Sequence, residues 1–213
     1  MIPDKAGDLI KSIEELKRSR VRKLVEKRVS EFRKLGRGTN REIFKELCFC
    51  ILCANYSAER SIKIQREIDE GFLTLSEQQL TKKLKEAGHR FPKSRAAYIT
   101  SARKYSGSIK EIIETFTDTK ELREWLAKNI PGVGMKEASH FLRNIGYTDL
   151  AILDFHILDL LAKHRIIKKP KTLTKSRYLQ IEERLKEIAR RVGLNMAELD
   201  LYLWYMETGK ILK

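Results

Sequence analysis

Hydrophobic residues recur at three- and four-residue spacing along nearly the whole chain, with polar residues between them. This period places the apolar side chains on one face of an α-helix. No segment alternates apolar and polar residues convincingly enough to indicate a strand, and no internal repeat of roughly 20–50 residues is visible. The pattern therefore predicts an all-α protein of about ten helices.

Capping residues divide this pattern into helices. The first helix is predicted to run unbroken from Ile10 to its stop at Gly36. Two capping boxes, Thr39 with Glu42 and Ser76 with Gln79, begin later helices, and Pro92 stands at another helix start. The last helices are expected to fold back on the first ones. This would give a single unit, residues 1–213, of two lobes that share a cleft.

The charge of the chain narrows the choice of partner. Lys and Arg number 44 against 29 Asp and Glu, a formal net charge of +15. Such an excess predicts attraction to an anionic polymer, nucleic acid first. No window approaches about 18 uninterrupted apolar residues, which argues against a membrane protein. The start, "MIPDKAGDLIKS", lacks the basic-then-apolar run of a signal peptide, so a soluble cytoplasmic protein is expected.

The cysteines and histidines do not form a metal-binding pattern. Three cysteines lie within "CFCILC", in a helix that is apolar almost all round and is predicted to be central to the core. Neighbouring cysteines on one helix cannot easily pair, and a metal site would need a fourth ligand, so buried thiols are expected. The four histidines are too scattered for a zinc signature: His89, His140, His156 and His164.

A glycine-containing turn joins two predicted helices at residues 121–146, "ELREWLAKN-IPGVG-MKEASHFLRNIG". Gly132 and Gly134 let the backbone approach another surface closely, and the second helix begins at once with Met135. The first N–H groups of that helix lack partners within the helix, which makes them suited to a DNA phosphate. Such contacts position DNA without reading its sequence. The alternative is an ordinary helix–helix turn with a glycine cap.

Lys136 lies in the first turn of the second helix, where the helix dipole disfavours a cation. The same field, and partial burial, would favour the neutral amine, a nucleophile that forms a Schiff base with a carbonyl carbon such as a sugar C1′. The alternative is one more solvated lysine whose charge is softened by the adjacent Glu137. His140, one turn later, is either a hydrogen-bonding residue near the site or a packed histidine.

Asp154 follows an apolar run and precedes a new helix, a position typical of an N-cap. The helix from Met135 to Ile145 rises ~16 Å, and the seven residues after Gly146 can span ~23 Å when extended. Asp154 can therefore return beside Lys136. A carboxylate there would stabilise positive charge developing on a sugar while the amine takes C1′, as N-glycosidic cleavage requires.

The segment "IPGVGMKEASHFLRNIGYTDLAILDFHIL" resembles the signature of the helix-hairpin-helix DNA glycosylases. The segment "KEASHFLRN" and the terminal lysine resemble those of the prokaryotic type 2 8-oxoguanine DNA glycosylase/AP lyases. This resemblance extends over nearly all of the chain. The resemblance implies a two-lobed helical fold with the active site in the cleft. It further implies excision of 8-oxoguanine and nicking of the abasic site by a monomeric enzyme, with Lys136 as the Schiff-base nucleophile and Asp154 as the essential carboxylate.

The resemblance also implies a pocket for the extruded base. Phe91 and Trp204 would flank the base, and Lys213 would help to distinguish 8-oxoguanine from guanine. From the sequence alone, Trp204 is either a core residue or an exposed stacking ring. Asp200 is a candidate acceptor for hydrogen bonds from a base edge. No cofactor is implied, although related hairpins hold a cation through backbone carbonyls.

Other members of the superfamily are excluded by what the chain lacks or carries. Iron–sulfur members have four cysteines near the C-terminus, and no cysteine follows Cys53 here. Monofunctional relatives lack the lysine. Phe155 departs from the family pattern, in which a basic residue tends to follow the aspartate. The alternatives that stay open are a glycosylase for another damaged base and a non-catalytic module that binds DNA through the hairpin.

Overall fold

The computed structural model describes residues 6–213, which form helices, turns and loops but no β-strand. The prediction of an all-α fold is confirmed. Thirteen α-helices and a 3-10 turn at Arg103–Tyr105 are found in this part of the chain, more than the ten or so predicted. None of these helices is both long and apolar enough to cross a bilayer.

The chain divides into two compact units. One unit comprises Arg33–Ile145. The other combines the residues up to Phe32 with Gly146–Lys213. The N-terminal and C-terminal segments therefore share a unit, as the sequence predicts.

The Arg33–Ile145 unit is built around one helix whose residues from Phe44 onward are mostly buried. Helix α3 (Asn40–Cys53) begins at a capping box formed by Thr39 and Glu42, and its cysteines are buried and free. These two predictions are confirmed. The other helices of this unit are α4 (Ala58–Ile68), α5 (Gly71–Thr74), α6 (Glu77–Glu86), α7 (Pro92–Ala102), α8 (Ile109–Glu114), α9 (Thr119–Asn129) and α10 (Met135–Asn144).

The second unit packs the first and last helices of the chain together. Val21, Val25 and Val29 form a cluster with Leu201 and Tyr202. The helices are α1 (Gly7–Lys17), α2 (Val21–Gly36, which continues past Phe32), α11 (Phe155–Lys163), α12 (Lys175–Arg191) and α13 (Met196–Thr208).

The prediction of one unbroken helix from Ile10 to Gly36 is wrong. The chain leaves the helix after Lys17 and begins α2 at Val21. Ser19 accounts for the break, because its Oγ donates to the Leu16 carbonyl at 2.8 Å and accepts from the Val21 N–H at 3.1 Å. A serine hydroxyl that satisfies both helix ends competes with continued helix, and the hydrophobic spacing does not reveal this.

Candidate active site

A tight hairpin joins α9 to α10. Asp118 begins α9 by accepting hydrogen bonds from the N–H groups of Lys120 and Glu121, at 2.6 and 3.1 Å. The turn closes where the Val133 N–H donates to the Ile130 carbonyl at 3.2 Å. The side chains of Ile130 and Val133 are both buried. The predicted helix–turn–helix is therefore present, with its turn anchored in the core of the unit.

Gly132 has a structural reason to be glycine besides access for a phosphate. Its φ is +77°, and a Cβ placed on it would lie 2.3 Å from the ring of Tyr98. An L-residue with a side chain would be strained there and would collide with an aromatic ring. Tyr98 belongs to α7, so this contact joins the hairpin to that helix. Nothing in the local sequence pattern links the two segments, so this contact could not be predicted from it.

The start of α10 carries a carboxylate of its own. Gly134 is the N-cap and Met135 the first helical residue. The Gly134 N–H donates to Glu137 Oε2 at 3.3 Å. One of the backbone donors predicted for a DNA phosphate therefore already has an acceptor within the chain. Glu137 stands three residues after the N-cap, as the glutamate of a capping box does, although Gly134 has no side chain to complete such a box.

Lys136 is placed in the first turn of α10, with 24% of its side chain exposed. Its Nζ lies 3.0 Å from Glu137 Oε1, and the Glu137 side chain is 14% exposed. The carboxylate attracts the ammonium form, whereas the positive end of the helix disfavours it. The lysine is thus held by an ion pair at the turn and is not a freely solvated side chain.

Phe91 lies beside two guanidinium groups at the start of α7. The Cζ atoms of Arg90 and Arg95 are 5.0 and 5.5 Å from the centre of its ring. Such distances allow cation–π attraction. Arg95 is buried, and its Nη2 donates to the Ala54 carbonyl. Neither arginine was singled out from the sequence.

A buried polar network fixes the far end of α10. The Asn144 amide donates to Glu46 Oε1 on α3 at 2.6 Å and accepts from the Arg143 guanidinium at 2.8 Å. His140 is buried with its ring edge against Phe49, centroids 5.6 Å apart. His140 is therefore a packed histidine and not a surface one.

Asp154 is the N-cap of α11 in the other unit, as its position predicts. Its Oδ1 accepts from the Ile157 N–H at 2.9 Å. The preceding extended residues are held by α12, since the Ala151 N–H donates to Glu182 at 2.8 Å and its carbonyl accepts from the Tyr178 hydroxyl at 2.7 Å. Two buried polar side chains of α12 therefore position the segment that ends in Asp154. No local pattern in the sequence predicts these two contacts.

Directly after Asp154 begins a series of ring contacts that joins Phe155, His156 and Trp204. The Phe155 and His156 rings are 3.8 Å apart and tilted by 34°, and the His156 ring meets Trp204 edge-on at 5.0 Å. Phe155 is 64% exposed. Trp204 is half-buried, and its indole N–H finds no acceptor among residues 6–213. Trp204 is thus neither a fully buried core residue nor a fully exposed platform.

Asp200 and Lys213 belong to the same unit as Trp204. Asp200 lies one turn before Trp204 on α13 and is only 9% exposed. Lys213 is half-buried, and Ile211 packs against the apolar cluster of this unit. The tail after Gly209 therefore has an apolar anchor.

The predicted site residues fall into two sets. Those in the Arg33–Ile145 unit are Phe91, Gly132, Gly134, Met135 and Lys136. Those in the other unit are Asp154, Asp200, Trp204 and Lys213. Within the described part of the chain, no three His, Cys, Asp or Glu side chains gather as metal ligands.

Comparison with known proteins identifies the family. Residues 25–194 match the model of the 8-oxoguanine DNA glycosylase family. The chain belongs to this family. An 8-oxoguanine DNA glycosylase/AP lyase of Korarchaeum cryptofilum is 53% identical over 97% of this chain and 98% of its own. The Thermotoga maritima 8-oxoguanine DNA glycosylase/AP lyase is 46% identical over 96% and 98%.

Solved structures of the glycosylase family agree with the fold. The Methanocaldococcus jannaschii 8-oxoguanine glycosylase/lyase, in complex with 15mer DNA containing 8-oxoguanine, matches with a TM-score of 0.94 at 52% identity, covering 96% of this chain and 99% of that one. The Thermotoga maritima 8-oxoguanine DNA glycosylase matches with a TM-score of 0.92 at 45% identity, covering 97% and 99%. The resemblance found in the sequence is therefore confirmed.

Proposed function

We propose that this protein excises 8-oxoguanine from double-stranded DNA and then nicks the strand at the abasic site. The observation that carries the proposal is a half-buried lysine, Lys136, held at a helix start in a chain that belongs to the 8-oxoguanine DNA glycosylase family. An amine in that position can act as a nucleophile once it is neutral.

In the proposed reaction, the damaged nucleotide leaves the base stack, because its C1′ is out of reach inside the duplex. The Lys136 amine attacks C1′ with its lone pair, and the bond from C1′ to N9 breaks with its electrons passing to the base. Asp154 stabilises the positive charge that develops on the sugar. The sugar ring opens to an imine, loss of a proton from C2′ follows, and the C3′–O bond breaks by β-elimination.

DNA positioning is assigned to the hairpin and to the positive charge of the chain. The backbone at Gly132, Gly134 and Met135 would meet a phosphate at the N-terminus of α10. The net charge of +15 supports phosphate binding that does not depend on sequence. These contacts hold the duplex while base recognition occurs elsewhere.

Base recognition is assigned to Phe91, Trp204, Lys213 and Asp200. Phe91 and Trp204 offer ring faces for stacking, which is worth about 1–3 kcal/mol per base. Lys213 supplies a donor and Asp200 an acceptor for the edge of the base. The half-buried state of Trp204 and Lys213 leaves part of each side chain able to meet a ligand.

The proposed enzyme acts as a monomer in the cytoplasm, on DNA of the nucleoid, and needs no cofactor for its chemistry. Backbone carbonyls of the hairpin could hold a structural cation. Those of Pro131, Gly132 and Val133 accept no hydrogen bond from residues 6–213, so their oxygens suit a hard cation.

Borohydride trapping tests the proposal. Wild-type protein mixed with an 8-oxoguanine duplex should form a covalent adduct, because borohydride reduces the imine to a stable amine. Lys136→Gln should bind the duplex and form no adduct. Lys128→Gln, which changes an exposed lysine on the same hairpin, should trap like wild type. Binding without any wild-type adduct would favour a non-catalytic module, and trapping by Lys136→Gln would reject this lysine as the nucleophile.

A further inference from the structure

Glu137 bridges the two functional parts of the hairpin. One carboxylate oxygen, Oε1, lies 3.0 Å from Lys136 Nζ, and the other accepts from the Gly134 N–H at 3.3 Å. A capping box needs only the second of these contacts. The first contact places an acceptor at the amine that the proposed reaction requires, in a side chain that is 14% exposed.

The charges around this carboxylate define its setting. Arg95 on α7, which is buried, interacts electrostatically with Glu137. The other charged or titratable side chains of α10, and the buried charged side chains of α9 and α3, bond or pack farther along α10. Arg123 of α9 donates to Ser139. Asn144 is bonded to Arg143 and to Glu46 of α3. His140 packs on Phe49.

The proposed attack on C1′ requires a proton acceptor beside Lys136. An ammonium has no lone pair, so Lys136 cannot attack C1′ until one proton leaves Nζ. Resting on the proposed function, we propose that Glu137 takes this proton and holds the amine in place for attack. The N–H bond that points toward Oε1 breaks and an O–H bond forms on the carboxyl group. The freed lone pair then bonds to C1′ as the C1′–N9 bond breaks, with the electrons of that bond passing to the base. No electrons are gained or lost in this transfer.

Two other roles for Glu137 predict different effects of the same change. Glutamine caps a helix as glutamate does, so Glu137→Gln keeps the bond to Gly134 and removes the charge. If Glu137 only caps, this variant reacts like wild type. If Glu137 only holds the ammonium by its charge, the variant has more neutral amine and reacts faster at neutral pH. If Glu137 accepts the proton, the variant reacts more slowly.

The measurement is the single-turnover rate of strand nicking on a duplex with a preformed abasic site, from pH 6 to pH 9. This substrate also needs the neutral amine but does not need base recognition. We expect Glu137→Gln to be about 100-fold slower than wild type at neutral pH, with the deficit shrinking as hydroxide takes over the proton. The control is Glu121→Gln, at the third position of α9, which should react like wild type.

Two further measurements keep the result interpretable. Glu137→Asp retains the charge on a shorter side chain and should recover part of the rate. Thermal unfolding and DNA binding should be alike in wild type and Glu137→Gln. A rate equal to or above wild type at neutral pH, or a deficit that is the same at every pH, would overturn the proposal for Glu137. Failure of wild type itself to nick or trap would instead overturn the proposed function.

Discussion

The backbone N–H of Phe91 donates a hydrogen bond to Nδ1 of His89, 3.0 Å away. The other ring nitrogen, Nε2, lies 3.1 Å from the Leu52 carbonyl and therefore carries the proton. Both contacts require a neutral imidazole, because a protonated Nδ1 would face another donor. Burial lowers the pKa of His89, although its bond to Leu52 opposes this effect. The neutral histidine thus fixes the backbone of a residue assigned to the base pocket.

Acid should destabilise the fold through His89. A lowered pKa in the folded state means that the unfolded chain binds the proton more readily. The contribution of His89 to the free energy of unfolding is therefore complete above the ordinary histidine pKa near 6.5. This contribution should decrease as the pH drops below that value, and it should stop changing once the pH is below the pKa of His89 in the folded state. Urea unfolding at several pH values checks this. The glutamine of His89→Gln cannot titrate, so this variant should lose that part of the pH dependence. If its free energy of unfolding changes with pH as steeply as that of wild type, other groups cause the dependence.

Asp154→Asn should separate capping from catalysis. Asparagine caps helices about as well as aspartate, so the free energy of unfolding should change by less than about 0.5 kcal/mol. Turnover should fall by about 100-fold or more, because the charge facing the sugar is lost. DNA binding should be retained. Asp118→Asn makes the same change at the cap of α9 and should leave turnover intact. Full activity of Asp154→Asn would reduce Asp154 to a structural cap.

Lys213→Ala should affect base recognition more than lyase chemistry. If Lys213 donates to the base, excision of 8-oxoguanine should slow by about tenfold or more, since a charged hydrogen bond contributes about 1.5–3 kcal/mol. Nicking of a preformed abasic site should change little. Lys210→Ala alters an exposed lysine of the same tail and serves as the control. Equal losses on both substrates would indicate that Lys213 only anchors the tail.

Gly132→Ala should destabilise the hairpin by more than backbone strain alone. The positive φ costs about 1 kcal/mol for a residue with a Cβ, and the collision with Tyr98 adds to it. Gly88→Ala isolates the first effect, because Gly88 has a φ of +75° and no atom lies within 4 Å of the place that a methyl group would occupy. Thermal unfolding of both variants measures the difference. Equal losses would mean that the Tyr98 ring moves aside without cost.

The sequence predicts those features that depend on local spacing. The capping boxes at Thr39 and Ser76 and the Asp154 cap are all present, because each is formed within a few residues of chain. The break at Ser19 was missed, since apolar spacing continues across it.

The features that sequence reasoning could not supply depend on contacts between distant segments. Tyr98 against Gly132, and Glu182 holding Ala151, join helices that are far apart along the chain. No local period encodes such pairs. The sequence therefore predicts the places of Lys136 and Asp154 at the starts of their helices, but not the residues that position them.

The burial of the three cysteines has a consequence for the conditions in which the protein can work. Cys48, Cys50 and Cys53 are at most 6% exposed, and burial raises the pKa of the Cys48 thiol well above its ordinary value. Peroxides react with exposed thiolates, and a buried neutral thiol offers them little. A protein proposed to repair an oxidised base thus keeps its own sulfhydryl groups out of reach of the oxidants that damage DNA.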